Sequence, residues 1–528
     1  MEEMKYLEIP QEKFEYANTG ETQITDKKLV TKSMSYFADA FSRFAKNKAS
    51  VIAAIIIILI VIYALTIPLV FNGPQTEISD SYYSKKPGRI EALSDLGFDG
   101  GVVSDYNERA IILEYAKAVA AETTYANETY GSLGSAVNSE YSPIIKINSI
   151  DEVSQGGKKN LIYNAKIDQY LSVGFIYTHL TKSELDAIKA WEKANNKQIL
   201  YPLVAENEYC YDKANANYWY KTTGKAIPVS VDADGNVTQL KYKNSVTELV
   251  LEDNYARNAD GSLKYEAFAG SNNGEQYRVR VLYYNYYQYR YNTTPEYLLG
   301  TDAQGYDLAV RMAEGIQLSL LLAICVSVIN FIIGAIYGAI AGYYGGTVDL
   351  IMERITDILS GIPFVIVATL FQIYLTNTGK VGTVPSLIFA FVLTGWIGTA
   401  ARVRTQFYRF KNQEYVMAAR TLGAKDSRII WKHIFPNTLG TIITSSVLVI
   451  PGVIFSESML SFLGIVSLGS SEGTSLGTLL SDASSIWTTY PHLLWTPAVV
   501  LSLLMICFNL FGNGLRDAFN PSLRGVEE

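Results

Sequence analysis

Residues 49–71, ASVIAAIIIILIVIYALTIPLVF, run for 23 positions without a charged side chain. At about 1.5 Å of rise per residue, a helix over them is about 34 Å long, enough to cross a bilayer core of about 30 Å. The run is preceded by 48 mostly hydrophilic residues and no small-residue cleavage site follows Pro68, so it reads as a retained span rather than a signal peptide. With only 18% charged residues in 528, much of the chain is not designed for water. Five further spans are expected at about Ile316 to Tyr343, Ile358 to Leu375, Pro385 to Ala401, Leu439 to Phe455 and Leu493 to Phe511. Six crossings put both termini on one side.

Basic residues set the orientation, because cytoplasmic flanks carry the Lys and Arg excess. Lys27, Lys28, Lys32, Arg43, Lys46 and Lys48 precede the first span; Arg402, Arg404, Arg409, Lys411, Arg420, Lys425, Arg428 and Lys432 lie between the fourth and fifth. Both regions are expected in the cytosol. The division that follows is a cytoplasmic tail (1–48), the first span (49–71), an extracytoplasmic stretch (72–298), an outer lead-in (299–315), a five-helix core (316–511) with a cytoplasmic loop (402–437), and a cytoplasmic tail (512–528).

That loop contains EYVMAARTLGAKDSRIIWKHIFPN, Glu414 to Asn437. Tyr415, Ala418, Ala419 and Leu422 share one helical face, Gly423 suits a left-handed closing turn, and Asp426 suits the first turn of a second helix. Ile430 and Ile434 give that helix an apolar side, and Pro436 is expected to stop it. Such a hairpin is either an ordinary amphipathic surface element or one whose small face receives another protein.

Within the spans, Gly334, Gly338 and Gly342 leave a stripe without side chains, where a neighbouring helix can lie close. Pro363 and the pair Pro451 and Gly452 permit kinks, structural or gating. Asn330 and Glu457 are the notable polar groups at membrane depth. Glu457 falls near the outer end of its span, where snorkelling to water is favoured over ion binding.

These residues match a known family. The chain resembles the inner permease subunits of ATP-binding-cassette importers, in the dipeptide and oligopeptide group (OppC and DppC type). Ala418, Ala419, Gly423 and Pro436 fit the group's cytoplasmic loop, EAA, three residues, G, nine residues, I-x-L-P; Met417, His433 and Phe435 depart from it. Leu299, Gly300, Thr301, Asp302, Gly305, Asp307 and Arg311 fit its LGTD-x-x-G-x-D-x-x-x-R pattern, with Tyr306 at a position where Arg is usual. Glu457, Leu460, Ser461, Phe462, Leu463 and Gly464 fit E-x-x-L-S-F-L-G, and Phe508 to Pro521 resembles its C-terminal signature, with Asn513 for the commoner Asp.

The resemblance implies a six-helix type I importer permease core that forms half of a peptide pathway. Its implied partners are a second permease (OppB or DppB type), two cytoplasmic ATPases (OppD and OppF type) that bind ATP and Mg, and an extracytoplasmic substrate-binding protein (OppA type). It also implies that the hairpin residues Glu414, Tyr415, Ala418, Ala419, Gly423 and Pro436 couple to the ATPases and that Gly300, Thr301, Asp302, Asp307 and Arg311 form the outer lead-in; Pro451, by its kink, and Glu457, by its depth, stand as pathway or gate candidates. The chain contains no G-x-x-x-x-G-K-[ST] loop, so nucleotide binding is expected in trans and this subunit is expected to be non-catalytic. An importer of nickel or another small solute in the same group would share these motifs. A membrane-anchored receptor would explain a large outer stretch but not six spans and this hairpin.

The stretch 72–298 departs from the group, whose first span is followed by a much shorter segment. Asp-Gly turns at Asp234–Gly235 and Asp260–Gly261 predict hairpins, and Ser183 to Ala194 and Tyr106 to Glu122 predict amphipathic helices, so an α+β domain is expected. Asp232, Asp234 and Asn236 lack the glycine position and closing Glu of a calcium loop. Around Tyr283 to Tyr291, strand alternation would put Tyr283, Tyr287, Tyr289 and Tyr291 on one face and Arg278, Arg280 and Arg290 on the other. That face suits either a half-buried sheet or docking of the substrate-binding protein. Cys210 is the one thiol of the stretch, with Cys325 and Cys507 in spans, so no disulfide is expected there; three His make a metal site improbable. A net charge of −7 argues against nucleic acid.

Overall fold

The structure, a computed structural model, describes residues 36–70, 79–121, 140–155, 158–240, 249–270, 274–376, 381–466 and 473–519. Lys27, Lys28, Lys32, Glu122 and Pro521 lie outside them. Helix α1 (Tyr36–Lys46) occupies part of the expected N-terminal tail and leads into α2 (Lys48–Val70). Along α2 only Ser50, Ala53 and Ala64 are buried. Small residues thus mark the seam where other spans approach, and the large aliphatics are left for lipid.

Residues 79–298 hold two larger antiparallel sheets and a small ribbon. In the first, β1 (Gly101–Asn107), β2 (Ile144–Gln155) and β3 (Lys158–Asp168) are ordered β1-β3-β2, with α3 (Glu108–Ala121) packed against them. Tyr163, Ala165 and Ile167 alternate along β3 and all face Ile111, Ile112 and Tyr115 in one core. In the second sheet, β4 (Phe175–Thr181) precedes α4 (Lys182–Asn195), whose start is fixed by a capping box between Thr181 and Glu184. After β5 (Leu200–Tyr201), the strands β6 (Val229–Val231) and β7 (Val237–Gln239) form the hairpin expected around Gly235 (φ +84°). The Asp232 carboxylate accepts the N–H groups of Asp234 (3.0 Å) and Asn236 (2.8 Å), so the turn itself uses it. Strand β8 (Glu266–Phe268) pairs with β9 (Gln276–Leu282), which lies between β4 and β5.

The tyrosine run is not a strand. Tyr283–Tyr291 is helix α5, so Tyr283 and Tyr287 share a face by the i, i+4 rule and are buried, while Tyr289 and Tyr291 are half-buried. The Tyr283 hydroxyl donates to Asp80 (2.6 Å), and the Tyr287 and Tyr297 hydroxyls are 3.0 Å apart. Burial beside Asp80 pushes the Tyr283 hydroxyl pKa well up. Alternation was the wrong period because the sheet core needed the strand to end at Leu282, and the rings gained a second apolar cluster with Tyr83 and Tyr170 by turning helical. Tyr283 and Tyr287 therefore serve packing and present no docking face.

The membrane half follows. α6 (Leu308–Tyr344) is continuous and longer than its expected span. α7 (Gly346–Ser360) and α8 (Phe364–Phe371), extended by a π turn over Gln372–Thr376, meet at 72°, with Pro363 at the bend. The expected third span, starting at Ile358, thus begins inside α7. α9 (Thr383–Gly395) and α10 (Ile397–Phe410) form one helical run, and α11 (Glu414–Thr421) follows. α12 (Asp426–Arg428), a π-helical stretch Ile429–Ile434, α13 (Phe435–Val447) and α14 (Val449–Phe462) form the next run; α15 (Leu476–Ala483) and α16 (Pro491–Phe519) complete the described chain. By length and composition, five helices among the described residues can cross a membrane, or six counting the bent pair.

Pro436 does not stop its helix: Asp426 to Phe462 is one run. It sits in the first turn of α13, just after wider π turns that displace the carbonyl its ring would otherwise strike. At Pro451 the missing N–H leaves the Val447 carbonyl without its helical donor, and a single turn residue, Leu448, interrupts the run without ending it. The glycine stripe behaves as expected. A methyl at Gly334 would fall 2.8 Å from the Trp396 oxygen, at Gly338 2.3 Å from the Ala400 oxygen, and at Gly342 2.7 Å from Phe407 Cβ. α6 and α10 therefore touch along their backbones.

Candidate functional site: a hairpin and a lead-in segment

Helix α11 ends in a Schellman turn: Ala424 N–H donates to the Ala419 oxygen and Gly423 N–H to the Arg420 oxygen, both at 3.0 Å. Gly423 has φ +80°, and a methyl there would meet nothing within 4 Å, so the dihedral alone demands glycine. Val416 is the one buried residue of α11, and it packs with Ile429, Ile430 and Ile434. Tyr415, Ala418 and Leu422 are exposed, Leu422 at 88%, and Ala419 is half-buried. Glu414 and Gly423 are exposed and Pro436 lies back along the membrane-side helix. The face read from the spacing thus points away from the protein, with Met417 (52% exposed) beside it.

Two polar contacts fix the hairpin to the core. The Tyr343 hydroxyl, at the end of α6, donates to Asp426 (2.6 Å), and the Arg420 guanidinium lies over the Tyr343 ring. The sequence reading missed Tyr343, since nothing local links positions 343 and 426.

Among the lead-in residues Gly300, Thr301, Asp302 and Asp307 are buried and Arg311 is half-buried. Thr301 N–H donates to the Lys86 oxygen (2.9 Å), Lys86 N–H donates to Thr301 Oγ1 (2.8 Å), and the Thr301 hydroxyl donates to the Tyr83 oxygen. Asp302 accepts from Gln304 and Tyr306 N–H, both 2.9 Å, and pairs with Arg311 at 3.7 Å. The Arg311 guanidinium sits 4.9 Å from the Tyr306 ring, so the unusual Tyr306 supports the same arginine. Asp307 caps α6, accepting from Ala309 N–H (2.8 Å) and Val310 N–H (3.4 Å). Burial pushes its carboxyl up to about 6 despite those two bonds. Gly300 (φ +85°) and Gly305 (φ +92°) press on the segment 80–88 that precedes the first sheet: a methyl at either would come within 2.1 Å of a backbone oxygen, of Lys86 or Asp80.

Glu457 does not snorkel. It is 1% exposed; its carboxylate accepts from Ser319 of α6 (3.1 Å) and from Ser461 (3.0 Å) and Ser458 (3.4 Å) of its own helix. Hydroxyls from two helices take the place of water, which is what permits a buried carboxyl. Ser461 at i+4 was a signal available in the sequence; Ser319 was not. Pro451 is buried in α14, as are Val453 and Ile454.

Residues 334–525 match the family model of the binding-protein-dependent transport system inner membrane component, and residues 35–87 match the N-terminal TM domain of oligopeptide transport permease C. The chain is 39% identical over 229 residues to the oligopeptide transport system permease protein OppC of Bacillus subtilis, covering 43% of this chain and 73% of that protein. It is 42% identical over 235 residues to the dipeptide transport system permease protein DppC of the same organism (43% and 70%), and 44% over 229 to OppC of Haemophilus influenzae (43% and 71%). With several apolar helices, a glycine-turned hairpin and these relatives, the chain belongs to the binding-protein-dependent transport inner membrane components, the non-catalytic permease subunits of ATP-binding-cassette importers.

Proposed function

We propose that this subunit forms half of a translocation pathway for oligopeptides or dipeptides and that the hairpin 414–437 couples it to cytoplasmic ATPases. The observation that carries this reading is the outward face of Tyr415, Ala418 and Leu422 on a helix held rigid by the Gly423 turn. Small and apolar groups let a partner's cleft approach to van der Waals contact, and the stiff turn passes that partner's movement into α10 and α13. ATP and Mg belong to the partner subunits. A second permease completes the pathway, and a substrate-binding protein delivers the peptide.

In this reading the bent pair α7–α8 is the third of six crossings, both termini are cytoplasmic, and 79–298 stands outside as an inserted domain. The lead-in Gly300, Thr301, Asp302, Asp307 and Arg311 then joins that domain to α6 at the outer surface. Glu457, bound to both α6 and α14, holds the outer ends of those helices in register.

Replacing Ala419 by Arg, or Gly423 by Pro, is expected to abolish uptake of a labelled peptide in whole cells while the protein still inserts in the membrane. Normal uptake by either variant sinks the coupling role. Competition of unlabelled dipeptides, longer peptides and nickel against that uptake identifies the solute class.

A further inference from the structure

We infer that Arg404 is a positioning residue of the transport cycle, tying the broken span α7–α8 to α10 and so to the hairpin; this rests on the coupling role proposed above. In the sequence, Arg404 counts merely as one of several basic residues of a cytoplasmic flank. In the structure it forms a four-bond fork onto a different helix. Its Nε and Nη2 donate to the two carboxylate oxygens of Asp349 at 2.5 and 2.6 Å, and its Nη1 and Nη2 reach Glu353 at 2.9 and 3.1 Å. Asp349 is 6% exposed and also accepts from the Tyr408 hydroxyl at 2.7 Å. The register is helical on both sides: 349 and 353 are one turn apart on α7, and 404 and 408 one turn apart on α10.

The glycine stripe makes this reach possible. At Gly338 a methyl would lie 3.0 Å from Arg404 N, and at Gly342 2.8 Å from Arg404 O, so the Arg404 backbone rests directly on α6. Lys411 extends the same seam, donating to the Gly342 oxygen at 3.1 Å and lying 4.1 Å from the Tyr408 ring. α10 then runs to Phe410, and α11 starts at Glu414.

A displacement of α11 thus reaches α7 through a stiff helix and a planar fork of bonds. Beyond α7 the chain bends by 72° at Gly361 to Pro363, where proline removes a helical donor. That bend is where a movement of α7 can become a reorientation of α8. Guanidinium suits this role because its fork fixes direction as well as distance, which a lysine ammonium does not.

The test is the ratio of peptide taken up to ATP hydrolysed, measured with the whole importer, partner permease, ATPases and binding protein, in vesicles. Arg404→Gln is expected to leave an assembled complex that hydrolyses ATP but to lower the ratio about tenfold, within the range of ordinary coupling energies. Arg404→Lys should fall between it and the parent. A static anchor would instead lower assembly or hydrolysis and leave the ratio unchanged, which overturns the inference. If Arg404→Gln does not accumulate, Tyr408→Phe and Glu353→Gln, each sparing the Asp349 fork, must lower the ratio by a smaller factor; an unchanged ratio in both is equally fatal. Ala419→Arg run in parallel separates the two ideas: its normal uptake beside a lowered ratio in Arg404→Gln removes the hairpin's role and keeps that of Arg404.

Discussion

The hairpin at 414–437 and the lead-in at 299–311 are both polar, glycine-turned segments at the end of a span, yet they use glycine differently. Gly423 stands in open space and only its φ of +80° excludes other residues. Gly300 and Gly305 have similar dihedrals, but each also faces a backbone oxygen that a methyl would overlap. The first segment is shaped to leave its outer face free; the second is shaped to be filled from both sides. A motif glycine therefore marks a turn in either case, and only the surroundings say whether it marks a surface for another protein or an internal joint.

The contrast is open to direct attack. Gly305→Ala and Gly300→Ala combine left-handed strain with overpacking against backbone, and each is expected to cost about 3 kcal/mol or more. Thermal unfolding in detergent checks this, and a loss below that of Gly423→Ala would erase the distinction. Asp307→Ala removes the cap of α6 and is expected to cost about 1 kcal/mol, whereas Asp307→Asn keeps the cap.

The same aspartate supplies a pH signature. Its carboxyl rises from an ordinary 3.8 to about 6 in the fold, so the folded state binds its proton more tightly. The stabilisation from that proton is complete below about pH 3.8 and is lost as pH rises through about 6. Asp307→Asn should flatten that part of the stability curve, and an unchanged slope would place the titration elsewhere.

Gly423→Ala follows with a cost of about 1 kcal/mol, confined to the hairpin, because its Cβ meets nothing. Smallest of all, Leu422→Ala should leave stability within about 0.5 kcal/mol, since the side chain is 88% exposed, while lowering peptide-dependent ATPase activity of the assembled importer. A stability loss with unchanged activity would mean that this face packs rather than couples.

Much of this architecture is legible in the sequence. The charge-free run at 49–71, the glycine stripe at 334–342 and the hairpin face at 415–422 follow from local periodicity, which needs no partner to interpret. The Asp-Gly turns at 235 and 261 are local for the same reason. The tyrosine run misled because period 2 and period 3.6 both place several of its rings together, and only the cluster with Tyr83 and Tyr170 selects the helix. Pro436 misled because the π turns before it are invisible in sequence.

The membrane half was thus specified as a set of apolar helices, a glycine-turned hairpin and a family by sequence alone, because hydropathy and turn chemistry act on neighbours in the chain. Tertiary structure decided which polar groups meet. Arg404 finds Asp349, Glu457 finds Ser319, and Tyr343 finds Asp426, across 55, 138 and 83 positions. Such pairs depend on how closely backbones approach at the glycine stripe and at the small-residue seams, and that distance is a property of packed helices, not of any one segment.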